Sequence, residues 1–438
     1  MNTQETHKKR PLPDALLRRL AEEHGTPLYV MHWDVVQERF ASLQAHFDVV
    51  RYAQKANSNL ALLRRLRMLG AQVDAVSLGE VRRALAAGYP EASVHFTADL
   101  FTREALDYLA DRKLHANLGS PDMIEQWAAI RPGTSVTLRL NPGFGHGHDL
   151  KVSTGGRHSK HGIWSADLPE VLERTRRAGL EVSGLHMHIV SGPDFEHLSK
   201  IRACMLDAAL QVGESLEAIS AGGGLPTPYR PGDKPFALDR YASDWLETRD
   251  ELQQRLGRRI VIEVEPGRYL SAEAGGLLTE VRATKRNADL DYVLVDAGFD
   301  NLVRPAMYGA YHHVSIVGKD ALDQAPRVVA GPLCESADMI TQGKGGVLEP
   351  RMLPEAAVGD LLWVHDAGAY AASMASNYNS RLLAAEVLVI GEDPFLVRRR
   401  QTIEQLLENE VPLPREAEDL IETQVLGPSE MAASGDET

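Results

Sequence analysis

The sequence predicts an α/β protein, in which a (β/α)8 TIM-type barrel is followed by a mostly β C-terminal domain. Up to Pro266, eight short runs rich in Val, Ile or Leu alternate with amphipathic helical stretches. After Pro266, β-like runs follow one another with Gly and Asp turns and few helices. A doubly wound open sheet also alternates strands and helices, but a count of eight strands favours the barrel.

The barrel strands are predicted from their apolar runs. The eight runs are Val50–Ala56, Gln72–Ser77, Ser93–Ala98, Leu114–Leu118, Ser135–Asn141, Val182–Ile189, Leu216–Ala221 and Ile260–Glu265. Two of the helices between them, Leu60–Leu69 and Leu168–Ala178, are each followed by a glycine. We therefore assign residues 32–275 to the barrel.

The second domain is predicted to contain the later β-like runs. These runs are Leu277–Thr284, Tyr292–Val295, Arg327–Val329, Leu361–Val364 and Ala385–Val389. The strand-like Leu28–Met31 and the helix Asp14–His24 have no place in the barrel count, so the domain comprises residues 1–31 and 276–425. The small, acidic residues 426–438 are predicted to be disordered.

Charge and cysteine content exclude several classes of protein. The net charge of −14 argues against binding nucleic acid, since phosphate binding requires a basic surface. Two cysteines in 438 residues do not form a disulfide scaffold, which favours a reducing cytoplasm. The N-terminal residues resemble no signal peptide, and no apolar run approaches the length of a membrane span.

Unusual polar residues follow most of the barrel strands, where barrel enzymes place their active sites. Lys55 comes late in the first run, and a desolvated lysine suits a Schiff base. The alternative is a structural lysine whose ammonium reaches out to water. Asp74, on the second strand, places an acid near this lysine.

Two histidines at the end of the sixth run lie on one face of a strand, because they are two residues apart. His186 and His188 suit a metal site, a platform that stacks on a planar ring, or a buried core. No acidic or Cys partner occurs at ligand spacing, which argues against the metal. We predict no metal site.

The last two barrel strands end in groups that suit an anion. Gly222-Gly223-Gly224 exposes backbone N–H groups, although a triple glycine also serves as a flexible turn. Glu265 and Arg268 follow the eighth strand, near the usual phosphate site of a barrel. With the lysine and the histidines, these residues supply what pyridoxal 5′-phosphate needs: an amine, phosphate donors, a stacking surface and a ring-nitrogen counterion.

The β domain carries further polar clusters. Cys334 lies between Gly-Pro and Glu-Ser, a setting typical of a loop, although a buried structural cysteine is the alternative. Other clusters follow the same part of the chain: Asp296-Ala297-Gly298, Arg304-Pro305-Ala306-Met307-Tyr308 and Asp366-Ala367-Gly368-Ala369-Tyr370.

These motifs, in this order, resemble those of the fold-type III pyridoxal-phosphate-dependent decarboxylases over about 28–407. The motifs are Tyr-Ala-x-Lys-Ala-Asn, His-x-His-Ile, Gly-Gly-Gly, Glu-Pro-Gly-Arg, Arg-Pro-x-x-Tyr, Cys-Glu-Ser and Asp-Ala-Gly-Ala-Tyr. The resemblance implies an alanine racemase-like fold and an obligate homodimer with shared active sites.

The resemblance also implies roles for individual residues. Lys55 would carry the cofactor, with Asp74 beside it. His188 would stack on the cofactor ring and Glu265 would keep its nitrogen protonated. Phosphate binding would fall to Ser191, Gly223, Gly224 and Arg268, and Tyr370 would close over the cofactor. The substrate would be bound by Arg268, Arg304, Tyr308, Glu335 and Tyr370. Catalysis from the neighbouring subunit would involve Cys334 and Glu335.

The expected activity is that of a carboxy-lyase acting on a small diamino acid. Decarboxylases of this kind that act on ornithine place an Asp just after the Tyr matching Tyr308; here that residue is Gly309, and Arg304 suits a distal carboxylate. This favours meso-2,6-diaminopimelate, giving L-lysine and CO2 in the last step of lysine biosynthesis. Cys334 is a plausible donor of the proton returned to Cα.

Several residues depart from the family pattern, and other functions stay open. Val190 replaces a glycine, His161 a phenylalanine and Ser220 an aspartate, and Leu225-Pro226-Thr227-Pro228-Tyr229 is rich in proline. The alternatives are a paralogue acting on D-lysine, D-ornithine or an intermediate of a secondary metabolite, an amino-acid racemase, and a non-catalytic cofactor-binding relative.

Overall fold

The computed structural model describes residues 11–144, 146–147, 155–188, 190–191, 195–415 and 417 of the chain. The side chains of residues 146–147, 190–191 and 195–197 lie outside this description. In chain order, the strands of the first part are β1 (Leu28–His32), β2 (Val49–Ala53), β3 (Gln72–Ala75), β4 (Val94–Ala98), β5 (His115–Leu118), β6 (Ser135–Asn141), β7 (His146–Gly147), β8 (Ile163–Trp164), β9 (Glu181–His186), β10 (Val190–Ser191), β11 (Ala218–Ser220) and β12 (Val261–Val264).

Eight parallel strands close into a barrel within the described residues. Their order around the barrel is β2, β3, β4, β5, β6, β9, β11 and β12. The barrel closes because β12 pairs with β2, with Val264 opposite Val50. The helices are α1 (Asp14–His24), α2 (Trp33–Gln44), α3 (Leu60–Met68), α4 (Leu78–Ala86), α5 (Arg103–Leu109), α6 (Met123–Ile130), α7 (Leu168–Arg177), α8 (Phe195–Val212), α9 (Leu238–Leu256), α10 (Arg268–Ser271), α11 (Arg304–Tyr308) and α12 (Ile403–Leu407).

Helix α3 illustrates why the local sequence forms these elements. The side chain of Asn59 accepts a hydrogen bond from the N–H of Ala61 and so caps the first turn. Leu62, Leu63 and Leu66 recur at helical spacing and are buried. Burying such a leucine contributes about 1.5–3 kcal/mol, so this face fixes the helix against the barrel.

The second part of unit 1–400 is a mixed sheet. Its further strands are β13 (Gly275–Asn287), β14 (Leu290–Val295), β15 (Val314–Ile316), β16 (Gln324–Ala330), β17 (Arg351–Pro354), β18 (Leu361–Val364), β19 (Ala385–Ile390) and β20 (Asp393–Arg398). The strand order is β17, β16, β14, β13, β1, β19 and β20, while β18 pairs with both β13 and β15. Strand β1 thus belongs to this sheet, antiparallel to β13 and parallel to β19.

The β domain contacts the barrel at the turn that follows β2. The N–H of Tyr370 donates to the carbonyl of Ala56 (2.8 Å), and the hydroxyl of Ser373 donates to the same oxygen (3.1 Å). The side chain of Asn57 donates to the carbonyl of Gly368 (3.4 Å). The segment around Tyr370 is therefore placed directly beside the predicted cofactor lysine.

The fold prediction is confirmed, since a closed eight-strand barrel with helices is joined to a mostly β domain. The predicted strands agree with β2, β3, β4, β5, β6, β9, β11 and β12 to within a few residues at their ends. The apolar residues continue past the last hydrogen bond between neighbouring strands. Several strands were therefore predicted to end a few residues later than they do. The exact domain bounds, 32–275 and 276–425, stay a prediction.

Gln401 begins a unit separate from the one that ends at Arg400. In its described part, Thr402 and Gln405 form a capping box at the start of α12. The predicted disordered tail, 426–438, lies outside the described residues. None of the helices built from the described residues combines the length and the apolar composition needed to cross a membrane.

Candidate active site

The predicted site residues gather at the carboxyl ends of the barrel strands. Asp74 lies on β3, and His188 and Glu265 closely follow β9 and β12. Lys55 lies not on the strand itself, as the sequence suggested, but in a 3-10 turn at Gln54–Ala56, and its side chain is exposed. The turn lets the amine project into an open cavity, instead of burying it among the strands.

One cavity of about 580 Å³ occupies this end of the barrel. This volume suits a cofactor together with a small substrate. Nine of the predicted residues line it: Lys55, Asp74, His188, Gly224, Glu265, Arg268, Arg304, Tyr308 and Tyr370. Barrel closure and the packing of the β domain thus bring together side chains that are up to 315 positions apart in the sequence.

Glu265 is a buried carboxylate on the floor of the cavity, only 6% exposed. The hydroxyl of Ser220 donates to Oε1 (2.7 Å), and Nε2 of His186 lies 2.9 Å from Oε2. Burial raises the pKa of Glu265, but His186, Ser220 and His188 outweigh burial and hold it below its usual range. The group is therefore a fixed negative charge that suits a protonated ring nitrogen.

Asp74 lies near both Lys55 and Glu265. Burial, and then the negative charge of Glu265, raise the pKa of Asp74 to about 6, although Lys55 acts in the opposite direction. Its Oδ1 atom is buried and has no hydrogen-bond partner among the described residues. An acceptor of this kind beside an amine suits a ligand that brings a donor to it.

His188 presents an uncharged ring to the cavity. The N–H of Gly223 donates to its Nδ1 atom (2.7 Å), so the neutral ring carries its proton on Nε2. Burial, and then the charge of Lys55, lower the pKa of His188 well below its usual value. Gly223 thus holds the stacking candidate in place, while Gly224 lines the cavity.

Two arginines also line the cavity. Arg304 is 7% exposed, and burial lowers its pKa, as does the charge of Arg268. Arg268 donates from Nη1 to the hydroxyl of Tyr229 (2.6 Å), and its guanidinium lies 5.0 Å from the ring centre of Tyr370. Within the part of the chain that the structure describes, neither arginine forms an ion pair with a carboxylate. Such charges need an anion from outside.

Tyr308 ends helix α11 beside these arginines, and Gly309 caps the helix in the left-handed conformation with φ +60. A Cβ at Gly309 would lie 2.3 Å from the backbone nitrogen of Lys344. An aspartate therefore does not fit there on this backbone. The absence of an acid next to Tyr308, noted in the sequence, has a steric reason.

Cys334 and Glu335 do not line the cavity of their own described chain; both are exposed. Their backbone is nonetheless held firmly. Oδ2 of the buried Asp338 accepts from the N–H of Leu333 (2.8 Å), and Oδ1 of Asn379 accepts from the N–H of Cys334 (3.0 Å). The loop presents both side chains outward from a fixed base.

Other residues of the cavity were missed or underrated in the sequence. Arg139 lines it, and its only signal was an arginine inside the apolar strand β6. Ser220, noted as a departure from the family, holds Glu265, and Tyr229, in the proline-rich stretch, reaches the arginines. The side chain of Ser191 lies outside the described residues.

Pyridoxal phosphate fits this set of residues. A free amine, an uncharged ring, an ionised carboxylate and two arginines without carboxylate partners in the described residues face one cavity of suitable size. No group of three or more His, Cys, Asp or Glu side chains that suits a metal occurs in the described residues. The individual roles inferred from the sequence stay predictions.

Known proteins resemble the chain over most of its length. Residues 33–272 match the family model described as pyridoxal-dependent decarboxylase, pyridoxal binding domain. Diaminopimelate decarboxylase of Escherichia coli K12 is 48% identical over 89% of this chain and 95% of its own length, and that of Streptomyces coelicolor is 49% identical over 91% and 93%. A crystal structure of diaminopimelate decarboxylase matches with a TM-score of 0.87 at 47% identity, over 90% of this chain and 96% of that one.

The matches agree with the geometry of the barrel mouth. The matched segment, 33–272, contains the lysine turn, both histidines, the triple glycine and Glu265. The relatives extend the similarity through the β domain, which supplies Arg304 and Tyr370. The chain belongs to the family of pyridoxal-dependent decarboxylases.

Proposed function

We propose that this enzyme decarboxylates meso-2,6-diaminopimelate to L-lysine and CO2, with pyridoxal 5′-phosphate as its cofactor. The observation that carries the proposal is that one cavity is lined both by Lys55 and Glu265 and by Arg304, which has no carboxylate partner among the described residues. The relatives of about 48% identity are named for this activity.

Within this proposal, Lys55 binds the cofactor, His188 packs on its ring and Gly224 lies beside its phosphate, while Arg268 binds the substrate. When bound, the cofactor withdraws electrons from Cα so that a carboxylate can leave as CO2. Glu265 holds a proton on the ring nitrogen because its own pKa is held low by His186 and Ser220.

Substrate selection follows from the arginines of the cavity. Arg304 and Tyr308 bind the distal carboxylate, and a guanidinium suits a carboxylate because it donates two parallel hydrogen bonds. The backbone at Gly309 leaves no room for an acid that would bind a distal ammonium. A substrate with a carboxylate at both ends is therefore favoured.

We also propose that two chains form a homodimer in which Cys334 and Glu335 complete the partner's site. Both are exposed and lie outside the cavity of their own chain, on a loop held by Asp338 and Asn379. A thiol held at the opposite face of Cα is suited to return the proton after CO2 leaves. We place the enzyme in the cytoplasm, consistent with free thiols at Cys204 and Cys334.

The test of the activity is CO2 release with added pyridoxal phosphate on meso-diaminopimelate, D- and L-lysine, and D- and L-ornithine. We expect a strong preference for meso-diaminopimelate and L-lysine as the product. Turnover of another diamino acid in its place, or of none, contradicts the proposed function. Lys55→Ala is the control, since it should abolish both turnover and the visible absorbance of the bound cofactor.

The test of the shared site mixes Lys55→Ala with Cys334→Ala, each inactive alone. In a homodimer, half of the randomly mixed dimers regain one intact site, which restores about a quarter of wild-type activity. Mixtures that stay inactive, while each variant remains folded by circular dichroism, contradict a site shared between subunits.

A further inference from the structure

Two side chains that the sequence did not mark as functional contact the arginines of the cavity. Tyr229 lies on the segment after the triple glycine, and His312 lies just before β15. Tyr229 lines the cavity, whereas His312 is fully buried behind it. Tyr229 contacts both arginines, and His312 contacts Arg304.

His312 fixes the orientation of Arg304. Its Nδ1–H donates to the carbonyl of His365 (2.8 Å), so Nε2 is left as an acceptor for a neutral ring. Nη1 of Arg304 donates to that Nε2 atom over 2.7 Å. This hydrogen bond uses one donor of the guanidinium and leaves others for a ligand.

Tyr229 contacts both arginines. Its ring centre lies 4.9 Å from the guanidinium carbon of Arg304, and its hydroxyl accepts from Arg268 over 2.6 Å. Its ring also meets His312 edge-on, with 5.5 Å between centres and an interplanar angle of 75°. An aromatic ring near a cation stabilises the charge without neutralising it.

This arrangement keeps two like charges close together without a carboxylate from the described residues. A protein carboxylate would stabilise the pair but would also compete with an anionic ligand for the same hydrogen-bond donors. An uncharged frame of phenol and imidazole fixes the direction of both guanidinium groups and leaves their attraction for an anion intact.

We propose that Tyr229 and His312 are positioning residues that direct Arg304 and Arg268 at the distal carboxylate and so determine the preference for a substrate with two carboxylates. The inference rests on the proposed function. Tyr229 and His312 act through the arginines, so their loss should weaken binding of that carboxylate more than it changes the chemical step.

The experiment compares Tyr229→Phe, which loses the hydroxyl, and His312→Asn, which keeps a donor for His365 but cannot reach Arg304. Each should raise the KM for meso-diaminopimelate about 10- to 100-fold, as expected for a lost hydrogen bond to a charged group, with kcat little changed. His312→Gln restores an acceptor near the Nε2 position and should recover most of the loss.

Two inhibitors separate carboxylate binding from general damage to the site. L-lysine retains the distal carboxylate of the substrate, whereas cadaverine lacks it. The inhibition constant of L-lysine should rise in parallel with KM in both variants, and that of cadaverine should stay unchanged. Equal rises for both inhibitors, or a fall in kcat alone, would overturn the inference and indicate a structural role.

Tyr108 offers a matched control away from the cavity. Its ring also lies between two arginines, 5.0 Å from Arg82 and 4.6 Å from Arg112. Tyr108→Phe should leave KM and both inhibition constants at wild-type values. If KM and both inhibition constants also stay unchanged in Tyr229→Phe and His312→Asn, the inference is overturned while the proposed function stands. If the wild-type enzyme does not prefer meso-diaminopimelate, the proposed function is refuted, and the inference with it.

Discussion

The cavities at the two ends of the barrel differ in how their arginines are partnered. The upper cavity, of about 580 Å³, is the candidate active site lined by Lys55 and Arg304. The lower cavity, of about 330 Å³, lies at the amino ends of the strands and is lined by Arg51 and Glu263. Glu265 lines both.

The arginine of the lower cavity is paired within the protein. Arg51 donates to both carboxylate oxygens of Glu263, over 2.8 and 2.7 Å. The rings of His95 and His115 lie 4.6 Å apart, and burial, followed by the charge of Arg51, lowers the pKa of both, in His115 to about 4. Two neutral rings can therefore stack beside an arginine that is already paired.

The comparison shows that charged side chains in a cavity do not by themselves identify the active site of this barrel. Both cavities are lined by charged side chains, but Arg51 in the lower one is paired with Glu263, while Arg268 and Arg304 in the upper one have no carboxylate partner among the described residues. Buried charge that the protein leaves unpaired is expensive, and an outside ligand is the usual compensation. The contrast leads to four predictions.

The largest effect should come from breaking the pair in the lower cavity. Arg51→Met leaves Glu263 buried without a partner and should lower the free energy of unfolding by about 3–5 kcal/mol. The measurement is urea denaturation, with kcat of the folded fraction near wild type. Replacing both residues, in Arg51→Met/Glu263→Leu, should recover most of the loss; a single variant as stable as wild type would contradict the pairing argument.

Removing the charge of a buried carboxylate in the upper cavity should lower the activity and leave the stability unchanged. Glu265→Gln removes the fixed negative charge and should lower kcat about 100- to 1000-fold, the range seen when a preorganised polar group is lost. Steady-state CO2 release checks this. Glu217→Gln, the same change at an exposed carboxylate that lines the lower cavity, should leave kcat unchanged.

Asp74 should make stability depend on pH. Because its folded pKa is raised to about 6 from 3.8, the folded state binds more protons than the unfolded state between these values. The stabilisation that Asp74 contributes is therefore present in full below about pH 4 and is lost as the pH rises through 6. The free energy of unfolding should fall by at most about 1.4 kcal/mol per pH unit over this range.

Asp74→Asn should remove that slope. In cofactor-free protein, the variant should be more stable than wild type at pH 7.5, and the difference should shrink as the pH falls toward 5. Free energies of unfolding of both proteins across this range provide the measurement. A difference that stays constant with pH would show that Asp74 titrates normally.

The smallest effect should come from adding a carboxylate at Gly309. Gly309→Asp places a Cβ against the backbone of Lys344 at positive φ and should destabilise the fold by about 1–3 kcal/mol. Gly345 is the control, because it also has positive φ but open space around it. Gly345→Asp bears only the strain of positive φ and should cost about 1 kcal/mol less than Gly309→Asp, and equal costs at both positions would remove the steric argument.

The barrel, the β domain and the residues at the mouth of the barrel could be predicted from local sequence patterns. Strand and helix periods are local, so apolar runs located the strands to within a few residues of their ends. Parallel strands of a closed barrel end at one face, so residues such as Asp74 and Glu265 could be grouped before any contact was known.

The contacts between these residues became known only from the folded arrangement of the chain. Arg51 meets Glu263 across 212 positions of sequence, and Tyr229 meets Arg304 across a domain boundary. The structure also placed Lys55 in a turn and left Cys334 outside the cavity of its own chain. These facts depend on barrel closure and domain packing, which join distant residues through space and leave no periodic signal in the chain.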